Sequence, residues 1–197
     1  MIDVARLQRR LGVPADGVNG PTTMTALFAR LGAKPEVAAE LGLAAAVHFA
    51  HAGLLTNDGR LAHCMAQLGH ESGGFRYMEE VWGPTPAQKS YEGRAGLGNS
   101  QPGDGRRYKG RGPIQITGRA NYRRFGRMIG IDIERRPDLA SAPSIGLMLA
   151  CAYWTDRGLN ALADRGDIEA VTRKINGGVN GLADRRARLA TMKELLA

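Results

Sequence analysis

Apolar positions recur at three- and four-residue spacing over most of this chain, the period of amphipathic helices. Val4, Leu7, Gln8 and Leu11 share one face of a first helix, and Asp16-Gly17 and Asn19-Gly20 supply the turn that follows it. Pro21 falls at the first position of a second helix, where no N–H is needed, and Met24, Leu27, Phe28 and Leu31 continue the stripe. The connector Gly32-Ala33-Lys34-Pro35 sets this pair, read as a small helical unit over residues 1–34, apart from residues 35–197. Glu36 to Gly53 reads as an Ala-rich helix. Thr56-Asn57-Asp58 then offers three N-cap residue types before a helix that buries Leu61, Cys64, Met65 and Leu68 and stops at Gly73-Gly74. From Gly83 to Gly112 no period is sustained, which predicts a loop with at most a short β-hairpin near its end, and loops of this length tend to carry function. Further helices are expected near 118–130, 144–158, 167–176 and 182–196. Leu147 to Trp154 is apolar nearly all round and belongs at the centre of the core. The fold class expected is mainly α.

Composition narrows the class further. A length of 197 residues fits one core with a small appendage, and 43% hydrophobic residues argue against a disordered chain. No apolar run is long enough to cross a bilayer. The first ten residues interleave charge with apolar positions where a secretory leader would be unbroken, so the expectation is a protein that accumulates in the cytoplasm of the cell that makes it. Twenty-seven Lys and Arg against nineteen Asp and Glu give +8, which points to an anionic polymer as partner. The arginine pairs are scattered, without a zinc, RNP or helix-turn-helix signature, and nucleic acid is not expected. Cys64 and Cys151 lie in apolar patterns and read as reduced core thiols.

The candidate chemistry centres on carboxylates. Glu71 closes the helix that begins at Asp58, on the face of Cys64 and Leu68. Desolvation on that face disfavours a charged carboxyl, the condition a general acid needs; a salt bridge at the helix end is the plainer use of such a residue. Nine residues on, past Gly73-Gly74, stands Glu80, preceded by Glu79. Two carboxyls about one cleft are the minimum for glycoside hydrolysis. Pro113-Ile114-Gln115-Ile116-Thr117 alternates, so an extended segment there sets Gln115 and Thr117 on one face, with Asn121 one helical turn after Thr117. These three side chains suit sugar hydroxyls, N-acetyl groups and a bound water, unless Thr117 is a plain N-cap and Gln115 a surface residue. His70-Glu71 lacks the second His of a zinc protease, because position 74 is Gly, and no metal or cofactor is expected. His63 and His70, seven apart, read as a packed or solvent-facing pair, Trp82 as a sugar platform or core residue, and Trp154 as core.

Four stretches in consistent order over about residues 55–190 resemble the family 19 glycoside hydrolases, which include plant and bacterial chitinases and endolysins of phages that infect Gram-negative bacteria. They are Gln67 to Phe75, Tyr108 to Tyr122, Ile175 to Gly178, and Asp184-Arg185. The resemblance implies a lysozyme-like helical fold and an inverting mechanism, with Glu71 as general acid, Glu80 as base and Thr117 helping to hold the attacking water. It further implies that Gln115, Asn121 and Asn176 line the substrate cleft, that His70, Tyr108, Lys109 and Arg111 shape it, and that Arg185 is a charge partner near the carboxylates. The stretch between Glu80 and Tyr108 is short for the family, which leaves Glu79 and Glu92 as alternative bases.

At the other end of the chain, Leu7 to Gly12 with Asp16 to Thr23 resembles, in shortened form, the helical peptidoglycan-binding repeat of cell-wall hydrolases. That likeness and the missing leader favour the endolysin branch: a monomeric enzyme that cleaves peptidoglycan after a separate membrane pore releases it from the host cytoplasm. Chitin is the alternative substrate, and a catalytically silent wall-binding protein the reading from another class. The last helix carries Arg185, Arg186, Arg188 and Lys193 around Leu189, Met192 and Leu196, a pattern suited to anionic outer-membrane lipid.

Overall fold

Helix starts and stops in the computed structural model, which describes residues 1–197, follow the capping chemistry of the sequence. Helix α1 (Val4–Leu11) is capped by Asp3, whose side chain accepts from the Arg6 N–H at 2.9 Å, and α2 (Pro21–Arg30) opens on its proline. Gln8 fastens the turn between them: its buried amide donates to Asp16, to the Val18 carbonyl and to Thr23, and accepts from the Gly17 N–H. Helix α3 (Pro35–His51) follows, then α4 (Asp58–Glu71), capped by Asn57. The aperiodic stretch holds two four-residue helices, α5 (Pro86–Lys89) and α6 (Asp104–Arg107). The chain ends in α7 (Arg119–Ile129), α8 (Pro143–Asp156), α9 (Leu159–Asp164), α10 (Ile168–Asn176) and α11 (Leu182–Leu196).

Packing follows the apolar stripes. Helix α3 lies between α2 and α8, α4 lies along α11, and α7 and α9 flank α8. Helix α8 buries Leu147, Leu149, Ala150, Cys151, Tyr153 and Trp154, as its all-round apolar pattern requires. One hydrophobic cluster of 41 residues runs through the molecule and includes Leu7, Met24, Leu27 and Phe28. Phe28 meets Phe49 of α3 at 6.2 Å between ring centroids and Phe75 at 4.9 Å, so residue 34 marks no break in the core. Both cysteines are buried and unpaired, and burial pushes the thiols up, Cys151 to about 12.

Three expectations are corrected here. The alternating segment 113–117 is not a strand. Gly112 to Gln115 forms a tight turn, with Gln115 at φ 55°, closed by paired hydrogen bonds between Arg111 and Ile116 of 2.9 and 3.2 Å. Close approach explains it: a Cβ on Gly112, itself at φ 71°, would stand 3.0 Å from the Gly146 Cα, so α8 presses backbone to backbone on this turn. The apolar side of α11 is spent on the core, with Leu189, Met192, Leu195 and Leu196 buried, and is not free to enter lipid. His63 and His70 do not act as a pair, because His63 is buried and His70 is bonded to Asp184 at 2.7 Å.

His63 is 1% exposed, and neither ring nitrogen has a hydrogen-bond partner. Burial, with Lys193 adding in the same direction and Asp167 opposing, pulls its pKa down to about 4. The unfolded chain binds that proton near pH 6.5, so the stability contributed by a neutral His63 is complete above about pH 6.5 and lost as pH falls toward 4, about 3 kcal/mol in all. His63→Leu is therefore expected to narrow the gap in Tm between pH 7.5 and pH 4.5; an unchanged gap would exclude His63 as its source.

Candidate active site

The last turn of α4 delivers Glu71 to the head of a cleft. Ser72 ends the helix by donating to the Leu68 carbonyl at 2.6 Å and accepting from the Phe75 N–H at 2.9 Å, and the chain reverses through Gly73 and Gly74, both at positive φ. Glu71 does not sit in a purely apolar setting, as its helical face suggested. Arg185 of α11, 1% exposed, donates to its carboxylate at 2.5 Å and also to the side-chain amide oxygen of Gln67. Gln67 in turn donates to Thr172 of α10 at 3.1 Å, so three helices fix the orientation of this carboxylate.

Glu80 is placed by different means. Its own N–H donates to the Gly110 carbonyl at 2.8 Å, while its carboxylate accepts from the Gly110 N–H at 3.0 Å and from the buried Gln88 amide at 2.9 Å. The Tyr91 hydroxyl adds a longer contact of 3.5 Å. Gln88 is held by the capping box of α5, so a four-residue helix anchors this acid. Burial and then the Glu80 charge push the Tyr91 hydroxyl up, opposed by Arg94.

Glu71 and Glu80 line one cleft of about 470 Å³ together with Gln115, Thr117, Asn121 and Asn176. All six were expected there. Thr117 donates to the Gln115 carbonyl at 3.0 Å, and its hydroxyl lone pairs remain to accept a hydrogen bond from a water in the cleft. Asn121 donates to the Thr117 carbonyl at 2.8 Å, and Gln115 to that of Gly112 at 3.0 Å. Asn176 closes the turn after α10 by accepting from Gly178 and donating to Asn180.

The other residues expected at the glycan stand behind this surface. Tyr108 is buried, its hydroxyl on the Glu134 carbonyl at 3.0 Å, and Arg111 is buried on Glu79 at 2.8 Å and the Tyr122 hydroxyl at 2.9 Å. Lys109 pairs with Glu79 at 3.2 Å, and His70 is held by Asp184. These four do not line the cleft, and each meets a partner within the protein instead. The same contacts separate the three candidate bases. Glu79 is engaged by two cations, and Glu92 accepts from the N–H groups of Gly103 and Gly105 at 2.6 and 2.9 Å, closing its own loop. Glu80 alone of the three lines the cleft with Glu71. Sequence reasoning missed Gln88, Tyr91, Arg94 and Tyr153; the Thr85-x-x-Gln88 spacing of a capping box is the signal that marks Gln88. Trp82 lies half-exposed against Tyr91, at 6.4 Å between centroids.

A helical scaffold that sets two carboxylates among neutral hydrogen-bonding side chains has the form of a glycoside hydrolase. The model of the glycoside hydrolase family 19, described as chitinase class I, matches residues 23–163, and the chain belongs to this family. A glycosyl hydrolase family 19 domain-containing protein of Haemophilus influenzae is 36% identical over 156 residues, 66% of this chain and 76% of that protein. An endochitinase of Arabidopsis thaliana is 36% identical over 119 residues, 60% of this chain but 39% of the plant enzyme. Chitinase C from Streptomyces griseus superposes with a TM-score of 0.60 over 99% of this chain and 76% of that one, at 20% identity, which is a likeness of fold. The matched range stops before α10 and α11, so Asn176 and Arg185 come from outside it.

Replacing Arg185 by Met leaves the Glu71 carboxylate and the Gln67 amide without their donor. The expected loss is about 3 kcal/mol, or about 10 °C in Tm for a chain of this size, readable by calorimetry. Arg185→Lys should recover little of it, since one ammonium cannot reproduce the two-armed contact.

Proposed function

We propose that this protein is an endo-acting, inverting glycosidase that hydrolyses the β-1,4 bonds of bacterial peptidoglycan, and that it serves as a phage endolysin. The observation that carries the glycosidase reading is the cleft shared by Glu71 and Glu80, each fixed by separate parts of the fold. Glu71 delivers a proton to the glycosidic oxygen, and Arg185 stabilises the carboxylate left behind. Glu80 takes one proton from the water that attacks the anomeric carbon from the opposite face, while Thr117 accepts a hydrogen bond from the O–H that remains on that oxygen. A single displacement of this kind needs a water between the two carboxyls, at a separation of about 6.5–9.5 Å, and turns a β-linkage into an α-hemiacetal. Gln115, Asn121 and Asn176 offer amides to the N-acetyl and hydroxyl groups of the sugars.

Peptidoglycan is favoured as substrate by the net charge of +8, which suits an anionic wall, and by the wall-binding-like pattern of residues 7–23. Residues 1–34 contribute a wall-contacting face in this reading. The enzyme waits in the host cytoplasm and reaches the wall through a pore made by another protein. Chitin is the second reading, favoured by the description of the family and the names of its plant relatives.

Glu71→Gln and Glu80→Gln are each expected to lower kcat by roughly 10²–10⁴-fold with the circular dichroism spectrum unchanged. Mass spectrometry of Gram-negative sacculi treated with the wild-type enzyme should show disaccharide-peptides with new reducing ends. Intact glycan strands beside cleaved chitin oligomers would transfer the assignment to chitin. Neither substrate being cut would leave a wall-binding protein.

A further inference from the structure

The lining of the cleft carries one cation. Arg94 lies there with Glu71, Glu80, Tyr91 and Leu97, and every other lining group is neutral or acidic. Its guanidinium forms no ion pair; other arginines of this chain are unpaired as well, but Arg94 is the one that lines the cleft. An arginine beside two carboxylates that bonds to neither is not there to hold them; Gln88, Gly110 and Arg185 already do so. Its backbone, by contrast, is pinned. The Arg94 N–H donates to the Tyr91 carbonyl at 3.4 Å, and its carbonyl accepts from Leu97 at 3.0 Å and Asn99 at 3.3 Å. Asn99, buried, donates to the Tyr91 carbonyl at 2.8 Å and accepts from the Arg119 N–H at 2.9 Å, which ties this turn to the start of α7. A fixed backbone thus presents a free, exposed guanidinium at the edge of the cleft, on the Glu80 side.

We propose that Arg94 is a specificity-determining residue that binds a carboxylate of the substrate's peptide stem, so that peptide-bearing glycan is preferred over unsubstituted β-1,4-N-acetylhexosamine chains. The chemistry selects the ligand. Chitin is neutral along its length and offers a guanidinium nothing beyond hydroxyl and amide oxygens. Peptidoglycan carries the same backbone with anionic peptides on alternate sugars, and a planar two-donor fork is the group that matches a carboxylate. Glu71 and Glu80 would repel that carboxylate from the middle of the cleft, and Arg94 offsets the repulsion at its edge. The proposal rests on the peptidoglycan reading above.

The test compares wild type, Arg94→Ala and Arg94→Lys on two substrates: soluble glycan strands with their peptides, and the same strands after the peptides have been removed enzymatically and the lactyl carboxylates so exposed have been converted to neutral amides. The quantity read is the ratio of kcat/KM on peptide-bearing strands to that on stripped strands. Arg94→Ala should lower this ratio roughly tenfold, the effect of losing one charge-assisted contact, mainly through KM, and Arg94→Lys should restore part of it. Raising the salt from 50 to 300 mM should shrink the wild-type ratio and leave that of Arg94→Ala nearly constant. An unchanged ratio in Arg94→Ala, whether activity falls on both substrates equally or on neither, overturns the proposal while the peptidoglycan assignment stands. A wild-type enzyme that cuts stripped strands and chitin oligomers but not peptide-bearing strands overturns both.

Discussion

A guanidinium taken out of water must meet an anion or enough acceptors to replace its hydration, and Arg185 is taken out almost entirely. Its partners are the Glu71 carboxylate, the Gln67 side-chain amide oxygen and, at 3.4 Å, the Asn180 backbone carbonyl. Those three groups come from the end of α4, the middle of α4 and the turn between α10 and α11. One buried charge therefore decides how the C-terminal helix docks, where the α10–α11 turn closes and which way the proposed acid points. The apolar contacts of Leu189, Met192, Leu195 and Leu196 supply the attraction between α11 and the body of the protein, but such contacts are non-directional. The Arg185–Glu71 pair fixes the register of that packing.

The opposite wall of the cleft is built on another principle. Between Phe75 and Gly112 there is little regular structure, and polar contacts between side chains and backbone hold the chain. Glu92 closes the 92–105 loop, the buried Asp104 accepts from the N–H groups of Ser100 and Gln101 and faces Arg119 at 3.4 Å, and Gln88 joins Glu80 to the Val81 carbonyl. Water can replace contacts of this kind at modest cost, whereas it cannot replace the buried helix packing behind Glu71. The two carboxylates are thus held by walls of different construction: buried helix packing and an ion pair behind Glu71, and a network of side-chain and backbone hydrogen bonds around Glu80.

These two modes of construction also explain what could be read from the sequence. Helices α3, α4, α8, α10 and α11 announced themselves through period and caps, since Asn57 and the all-round apolar run at 147–154 are local signals. Glu71, Glu80, Gln115, Thr117, Asn121 and Asn176 were found through a combination of spacing and family likeness, and they converge on one cleft. The strand expected at 113–117 failed because alternation there serves a turn: Ile114 and Ile116 point into the core on either side of Gln115 at positive φ, a geometry imposed by the Gly112–Gly146 contact with α8. No pattern within five residues reveals a close approach to a helix thirty residues later. His70, Tyr108, Lys109 and Arg111 were expected to shape the cleft because the family likeness implies it. Whether such a side chain faces a ligand or a protein partner depends on Asp184, Glu134 and Glu79, which only tertiary structure brings to them.

Catalysis and selectivity make separate demands on this cleft. In the proposed mechanism an acid, a base and a water suffice for any β-1,4-linked N-acetylhexosamine, so Glu71, Glu80 and Thr117 in those roles would not distinguish a bare chain from a substituted one. The amides of Gln115, Asn121 and Asn176, in the same proposal, would address groups that both kinds of chain possess. Discrimination has to come from a feature one substrate has and the other lacks, and charge is the largest such difference between peptidoglycan and chitin. A charge that selects must also be kept away from the reacting bond, or it would perturb the acid and base it serves. The turn that ties Arg94 to Tyr91, Leu97 and Asn99 meets that condition: it holds a cation at the border of the cleft, with no hydrogen bond to either carboxylate, where a substituent on the sugar rather than the glycosidic oxygen would encounter it.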